Sequence, residues 1–379
     1  MTTAVSQNAV LPLYPRQDVT LVAGQGTTVV DSDGRSYLDF LAGIAVVGLG
    51  HCHPVPLAAA SAQLERLWHV SNLYWTEPMT ALAERLSARF GGARAFFANS
   101  GAESIEAGLK LARKATGKPG VVALHGSFHG RTLGALSITG QPEKREAFEP
   151  LLPHVRFAER NATESLEGAV DDETGCIALE PIQGEGGIHV LEPGFLRAAR
   201  RLADETGALL LYDEIQTGVG RTGTFFAWEQ TPVRPDAVTL AKGLANGLPI
   251  GCLLVADGVS DAFTIGDHGS TFGGNPVACA AATAVCDTLT DELLASVAQN
   301  GRLLADGLAE LDAVREVRGA GLLLGAELDR PAADVVDECR ALGLLVGTAG
   351  DNVLRVTPPL VVTPPEIETA LGILEEVLA

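Results

Sequence analysis

Between about residue 50 and residue 275, short apolar runs alternate with segments of helical period, and no other feature narrows the fold as far. The runs Ala95–Ala98, Val121–Leu124, Cys176–Leu179, Ala208–Tyr212, Val238–Leu240 and Ile250–Val255 have the length and apolar character of buried strands. Between them, Pro78 opens a segment that places Met79, Leu82, Leu86 and Phe90 on one helical face. Ala102–Ala115 and Gly194–Glu205 read as two further helices. Strands alternating with helices predict an α/β fold whose large domain holds a mostly parallel, doubly wound sheet.

The flanks read differently. Residues 19–40 form short strands with turns at Gly24-Gln25-Gly26 and Asp31-Ser32-Asp33-Gly34. Beyond residue 277 the pattern predicts a helix at 291–311, strands at 314–318 and 321–328, a helix at 332–342, strands at 344–346 and 353–356, and a last helix from Pro365. The expected organisation is an N-terminal segment 1–50 belonging to a small domain, a large domain 51–276, and a C-terminal small α+β domain 277–379.

Charge and cysteine usage bound the function. Of 379 residues, 27 are Lys or Arg and 47 are Asp or Glu, a net charge of −20. Such a surface repels phosphate backbones, which excludes nucleic acid as an expected partner. No apolar run approaches the roughly 18 residues that cross a membrane. Met1 to Gln17 lacks a basic stretch followed by an apolar one, so no secretory signal is expected. The six cysteines include no C-x-x-C pair and read as reduced residues of a cytoplasmic protein.

Three short segments carry the chemistry. Asn99-Ser100-Gly101-Ala102-Glu103 lies between a buried strand and a helix. Free N–H groups of the first helical turn suit a phosphate there, although Ser100 also reads as an ordinary N-cap. Asp213 and Glu214 end an apolar strand, where open α/β sheets bind ligands. A carboxylate at that place holds a positive nitrogen or caps a helix; two acids without a nearby histidine make a poor metal site, and no metal is expected. Of only five lysines, Lys110, Lys114 and Lys118 follow one helix and Lys144 sits among acids. Lys242, in Ala241-Lys242-Gly243, alone has an apolar, glycine-rich setting. A desolvated lysine becomes an amine nucleophile able to form a Schiff base; the plainer reading is a lysine snorkelling from a strand end. A phosphate cup, an acid for a ring nitrogen and a lysine for an aldehyde together meet the needs of pyridoxal 5′-phosphate.

Longer motifs extend this. FFANSGAESIEAGLKLAR at 96–113, SFHGRT at 127–132, EPIQGEGG at 180–187, YDEIQTGVGRTG at 212–223, LAKGLANGLPIG at 240–251 and HGSTFGGNP at 268–276 resemble the class III aminotransferases of fold type I. YLDFLAGIAVVGLGHCHP at 37–54 and SNLYWTEP at 71–78 resemble, more narrowly, the acetylornithine aminotransferases of that family. The resemblance spans about residues 20–360.

The resemblance implies that Lys242 bonds the cofactor aldehyde and moves the substrate proton. It implies that Asp213 keeps the ring nitrogen protonated and that Glu214 points away as a structural group. Gln216 is expected near the phenolic oxygen, Phe128 and Ile215 on opposite ring faces, and Ser100, Gly101 and Ala102 at the phosphate. Thr271 is expected to complete the phosphate site of a partner subunit, in a homodimer with shared active sites. For substrates, Arg355 matches the arginine for the carboxylate beside the reacting amine, and Arg131 the one for the distal carboxylate. Glu185 matches a glutamate that pairs with Arg355 and swings aside when glutamate binds. The implied reaction converts N-acetylornithine and 2-oxoglutarate to N-acetylglutamate 5-semialdehyde and glutamate, in arginine biosynthesis. Trp75 stands where many relatives carry tyrosine, at the expected substrate entrance, and leaves the acyl group open. Succinylornithine, succinyl-diaminopimelate, ornithine and 4-aminobutyrate remain alternatives, as does an aminomutase.

Overall fold

The computed structural model describes residues 9–379; the first eight residues of the expected 1–50 segment lie outside the described residues. Its central sheet has seven strands, in the order Ala93–Ala98, Gly251–Ala256, Ala237–Leu240, Leu209–Asp213, Thr174–Leu179, Gly120–Leu124 and Val155–Ala158. All run parallel except Gly251–Ala256, which is antiparallel to both of its neighbours. Every residue of Gly120–Leu124 and Thr174–Leu179 is buried, as expected of strands covered by helices on both faces.

The covering helices follow from their sequences. Pro193–Thr206 starts with proline at its first position and ends at Gly207, whose φ of 69° closes the helix without a Cβ clash. Phe195, Leu196, Ala199, Leu202 and Ala203 form its buried stripe. Glu77–Phe90 buries Leu82, Leu86 and Phe90, three of the four residues placed on its inner face. Two elements had no clear sequence signal. The edge strand Val155–Ala158 is only four residues long and includes an arginine. The helix Pro276–Thr288 is apolar over most of its length, so it shows little period; it packs against the helices Pro54–Leu64 and Glu77–Phe90.

Two four-stranded sheets lie beside this core. Leu21–Gln25, Thr28–Asp31 and Ser36–Asp39 form a meander joined by Leu344–Leu345, which pairs in parallel with Ser36–Asp39. The other sheet has the order Val314–Ala320, Leu323–Leu328, Val353–Val356 and Gly347–Thr348, all antiparallel. Among the described residues no helix is long and apolar enough to cross a membrane. All six cysteines are free thiols, and only Cys52 is exposed.

Candidate active site

The carboxyl ends of the parallel strands open onto one cavity of about 400 Å3. The strand Leu209–Asp213 delivers Asp213 to its floor, where Oδ1 accepts the Ile215 N–H at 3.0 Å. Oδ2 of the same carboxylate lies 2.7 Å from Nδ1 of the buried His129. Burial acts to lower the His129 pKa, but the bond to Asp213 and the charges of Asp213 and Glu180 leave it above the ordinary histidine value. Glu214, the next residue, turns away from the cavity. Its two oxygens accept the N–H groups of Ala227 and Trp228 at 2.6 and 2.7 Å, and burial pushes its pKa up to about 8.

Lys242 follows the strand Ala237–Leu240 and lines the cavity wall. Its φ is 37°, a backbone state that costs a side-chain-bearing residue about 1–3 kcal/mol. Asn246 holds this turn in place: its side chain accepts the Leu49 N–H at 2.8 Å and donates to the Gly50 carbonyl at 2.9 Å. Burial lowers the Lys242 pKa below that of an ordinary lysine, against the pull of Glu185 and Asp213.

Ser100, Gly101 and Ala102 line the opposite side, at the start of the helix Gly101–Thr116. Ser100 is an N-cap, its oxygen accepting the Glu103 N–H at 3.2 Å. The cap does not close the helix start to an anion, because one side chain answers only one of several free N–H groups. A Cβ at Gly101 would stand 2.6 Å from Cδ1 of Ile215, so the close approach of helix and loop requires glycine. Phe128 and Ile215 both line the space between, and the Arg131 guanidinium lies 5.5 Å from the Phe128 ring centre.

Glu185 and Arg355 stand beside the cavity, joined by an ion pair. Gln216 links them to it. Its amide donates to Oε1 of Glu185 at 3.2 Å and accepts from Nη1 of Arg355 at 3.3 Å, while Gln216 also lines the cavity. Burial pushes the Glu185 carboxyl up, but the Arg355 and Lys242 cations and its hydrogen bonds hold it below the ordinary value. Thr271 and Trp75 do not line the cavity of this chain; both are exposed, Trp75 by 85%.

A model of the class-III aminotransferase family matches residues 13–378. The chain belongs to the class-III aminotransferases. It is 47% identical over 378 residues to an acetylornithine aminotransferase of Caldanaerobacter subterraneus subsp. tengcongensis, covering 97% of this chain and 96% of that protein. It is 49% identical over 370 residues to one of Mycolicibacterium smegmatis, covering 96% and 95%. Among solved structures, an N-acetylornithine aminotransferase of Stenotrophomonas maltophilia matches with a TM-score of 0.85 and 39% identity, covering 96% of each chain. An ornithine aminotransferase of Toxoplasma gondii matches with a TM-score of 0.93 and 34% identity, covering 98% and 92%.

This class-III aminotransferase therefore depends on pyridoxal phosphate. The residues present fit that cofactor: an amine, an acid at the floor, an apolar slot between Phe128 and Ile215, and helix N–H groups at the far end. Two participants escaped the sequence reading. His129 lies in a quoted motif but drew no role, because its partner Asp213 is 84 residues away. Glu180 follows the strand Thr174–Leu179 and lines the cavity, so the strand-end rule that found Asp213 also pointed to it. Glu180 accepts the N–H groups of Phe128 and Gly184 at 3.0 and 3.2 Å, and burial pushes its pKa upward.

Proposed function

We propose that this aminotransferase exchanges an amino group between glutamate and N-acetylglutamate 5-semialdehyde, the acetylornithine aminotransferase reaction of arginine biosynthesis. The observation that carries this reading is the Glu185–Arg355 pair beside the cavity. Glutamate brings a carboxylate next to its reacting amine, and a free guanidinium grips it bidentately. N-acetylornithine brings none there, and an unpaired Arg355, only 4% exposed, would be costly. A movable carboxylate on Arg355 reconciles the two substrates. The acetyl group is favoured by the relatives at 43–49% identity that bear the acetylornithine name.

The chemistry supplied when pyridoxal phosphate is bound is an amine-reactive aldehyde conjugated to an electron-withdrawing ring. The rest belongs to the chain. Ser100, Gly101 and Ala102 bind the phosphate, and Phe128 and Ile215 hold the ring between them. Asp213, backed by His129, keeps a proton on the ring nitrogen. Lys242 would hold the cofactor through Nζ, and the same Nζ, when free, would take and return the proton at the substrate carbon bearing the amine. Its lowered pKa favours the neutral amine this requires. Arg131 receives the far carboxylate of either substrate.

In the same reading the enzyme is a cytoplasmic homodimer. Leu73 and Trp75 are 86% and 85% exposed, and Asn72 ties their segment to the one carrying Thr271 and Phe272. An apolar patch of this kind marks an interface, and burying it against a second copy brings Thr271 to the partner's phosphate site. Sedimentation of the holoenzyme tests this; a monomer at micromolar concentration contradicts it.

A panel of N-acetylornithine, succinylornithine, ornithine and 4-aminobutyrate with 2-oxoglutarate tests the substrate. N-acetylornithine is expected to give the highest kcat/KM. A higher value for another amine moves the assignment to it.

A further inference from the structure

Glu185 sits on the loop 184–188, which connects the short strands Ile182–Gln183 and His189–Val190. The two ends of this loop are held by different groups. At the start, Gly184 donates its N–H to Glu180 at 3.2 Å. At the end, Arg318 donates from Nε and from Nη2 to the Gly187 carbonyl, both at 3.1 Å. Arg318 itself has little freedom. Its Nη1 meets carboxylate oxygens of Glu316 and Glu327, each at 2.5 Å, and its side chain is only 10% exposed. Two acids on one nitrogen turn the other edge of the planar guanidinium toward the loop.

Arg318 and Arg355 lie in one sheet, since Val314–Ala320 and Val353–Val356 flank Leu323–Leu328. That sheet thus presents two guanidinium groups to one loop, Arg355 to Glu185 and Arg318 to Gly187. Between the anchors the backbone is confined on its other side: a Cβ at Gly186 would stand 2.2 Å from the Gly126 carbonyl oxygen.

We propose that Arg318 is a positioning residue for the Glu185–Arg355 pair, fixing through the Gly187 carbonyl the loop from which Glu185 reaches Arg355. The inference rests on the reading of that pair given above. With the loop pinned at both ends, Glu185 leaves and regains Arg355 by side-chain rotation alone. Freed at Gly187, the loop samples more positions, and Glu185 neutralises Arg355 for a smaller part of the time.

The test compares Arg318→Ala and Glu185→Gln with the parent holoenzyme in two measurements. One is single-turnover kinetics of each half-reaction. The other is the dissociation constant of glutarate, a dicarboxylate without an amine, by calorimetry, which needs no turnover. Arg318→Ala is expected to slow the N-acetylornithine half-reaction about tenfold, the loss typical of hydrogen bonds from a charged donor, while the glutamate half-reaction and glutarate binding hold or improve. Equal slowing of both halves, or no change in either, with an asymmetric Glu185→Gln, overturns the role of Arg318 alone. Equal effects of Glu185→Gln on both halves overturn the reading of the pair and this inference with it. If Arg318→Ala does not fold, Arg318→Lys keeps a cation for Glu316 and Glu327 but cannot donate two bonds to Gly187. It should show the same asymmetry, reduced to about threefold, and a symmetric result overturns the proposal.

Discussion

Nδ1 of His129 lies 2.7 Å from Oδ2 of Asp213, with both side chains buried beneath the cavity. The second carboxylate oxygen is occupied as well, by the Ile215 N–H at 3.0 Å and the Thr239 hydroxyl at 3.3 Å. Asp213 is therefore fixed in one orientation by three donors, from His129, Ile215 and Thr239. Preorganisation of this kind lets a buried charge stabilise another without reorganising during the reaction.

Asp213→Ala should lower both half-reactions by orders of magnitude while the far-ultraviolet circular dichroism stays that of the parent. His129→Ala should slow both halves about tenfold, because the carboxylate remains but loses one orienting partner. Stopped-flow absorbance of each half-reaction checks both. Near-parental rates in Asp213→Ala would move the ring-nitrogen role to another acid.

Lys242 should be the one lysine that bonds the cofactor. Borohydride reduction of the holoenzyme followed by peptide mapping should place the label on Lys242. Label on Lys144, or on no lysine, contradicts the mechanism. Lys242→Ala should keep some cofactor through Ser100, Gly101 and Ala102 and lose turnover.

Glu185→Gln preserves shape and removes charge from the pair with Arg355. The glutamate half-reaction should hold or improve. The N-acetylornithine half-reaction should fall about a hundredfold, the effect of a few kcal/mol from a buried arginine left without its counter-charge. The two halves are followed separately through the cofactor's absorbance.

Stability should fall as pH rises across the neutral range. Burial raises the Glu214 pKa from 4.5 to about 8 in the folded state. A raised folded pKa contributes stability that is complete below the unfolded value and is lost as pH climbs through the folded one. The window is therefore about pH 4.5 to 8, with a slope of about 1.4 kcal/mol per pH unit. His129, also raised, adds a loss of the same sign above its unfolded value of 6.5. Thermal melts from pH 5 to 8 should show a declining Tm, and Glu214→Gln should flatten that decline. An unchanged slope in the variant would assign the pH dependence to other groups.

What the sequence determined by itself was local. Alternating apolar runs and helical periods specify the sheet, because burial on both faces demands apolar strands and the covering helices demand one apolar stripe each. Ser100, Gly101, Asp213 and Lys242 were legible for the same reason: each lies at or just past the carboxyl end of a sheet strand, at the edge where such sheets bind ligands. Apart from the ion pair of Glu185 with Arg355, which family resemblance alone supplied, the partners of these groups were not legible. His129 meets Asp213 across 84 residues, and Arg318 meets Gly187 across 131. Glu185 meets Arg355 across 170. No period or composition in a single chain reports such pairs, since they form only when separate strands and loops are packed together. The tertiary structure decided which charges neutralise one another beside the cavity.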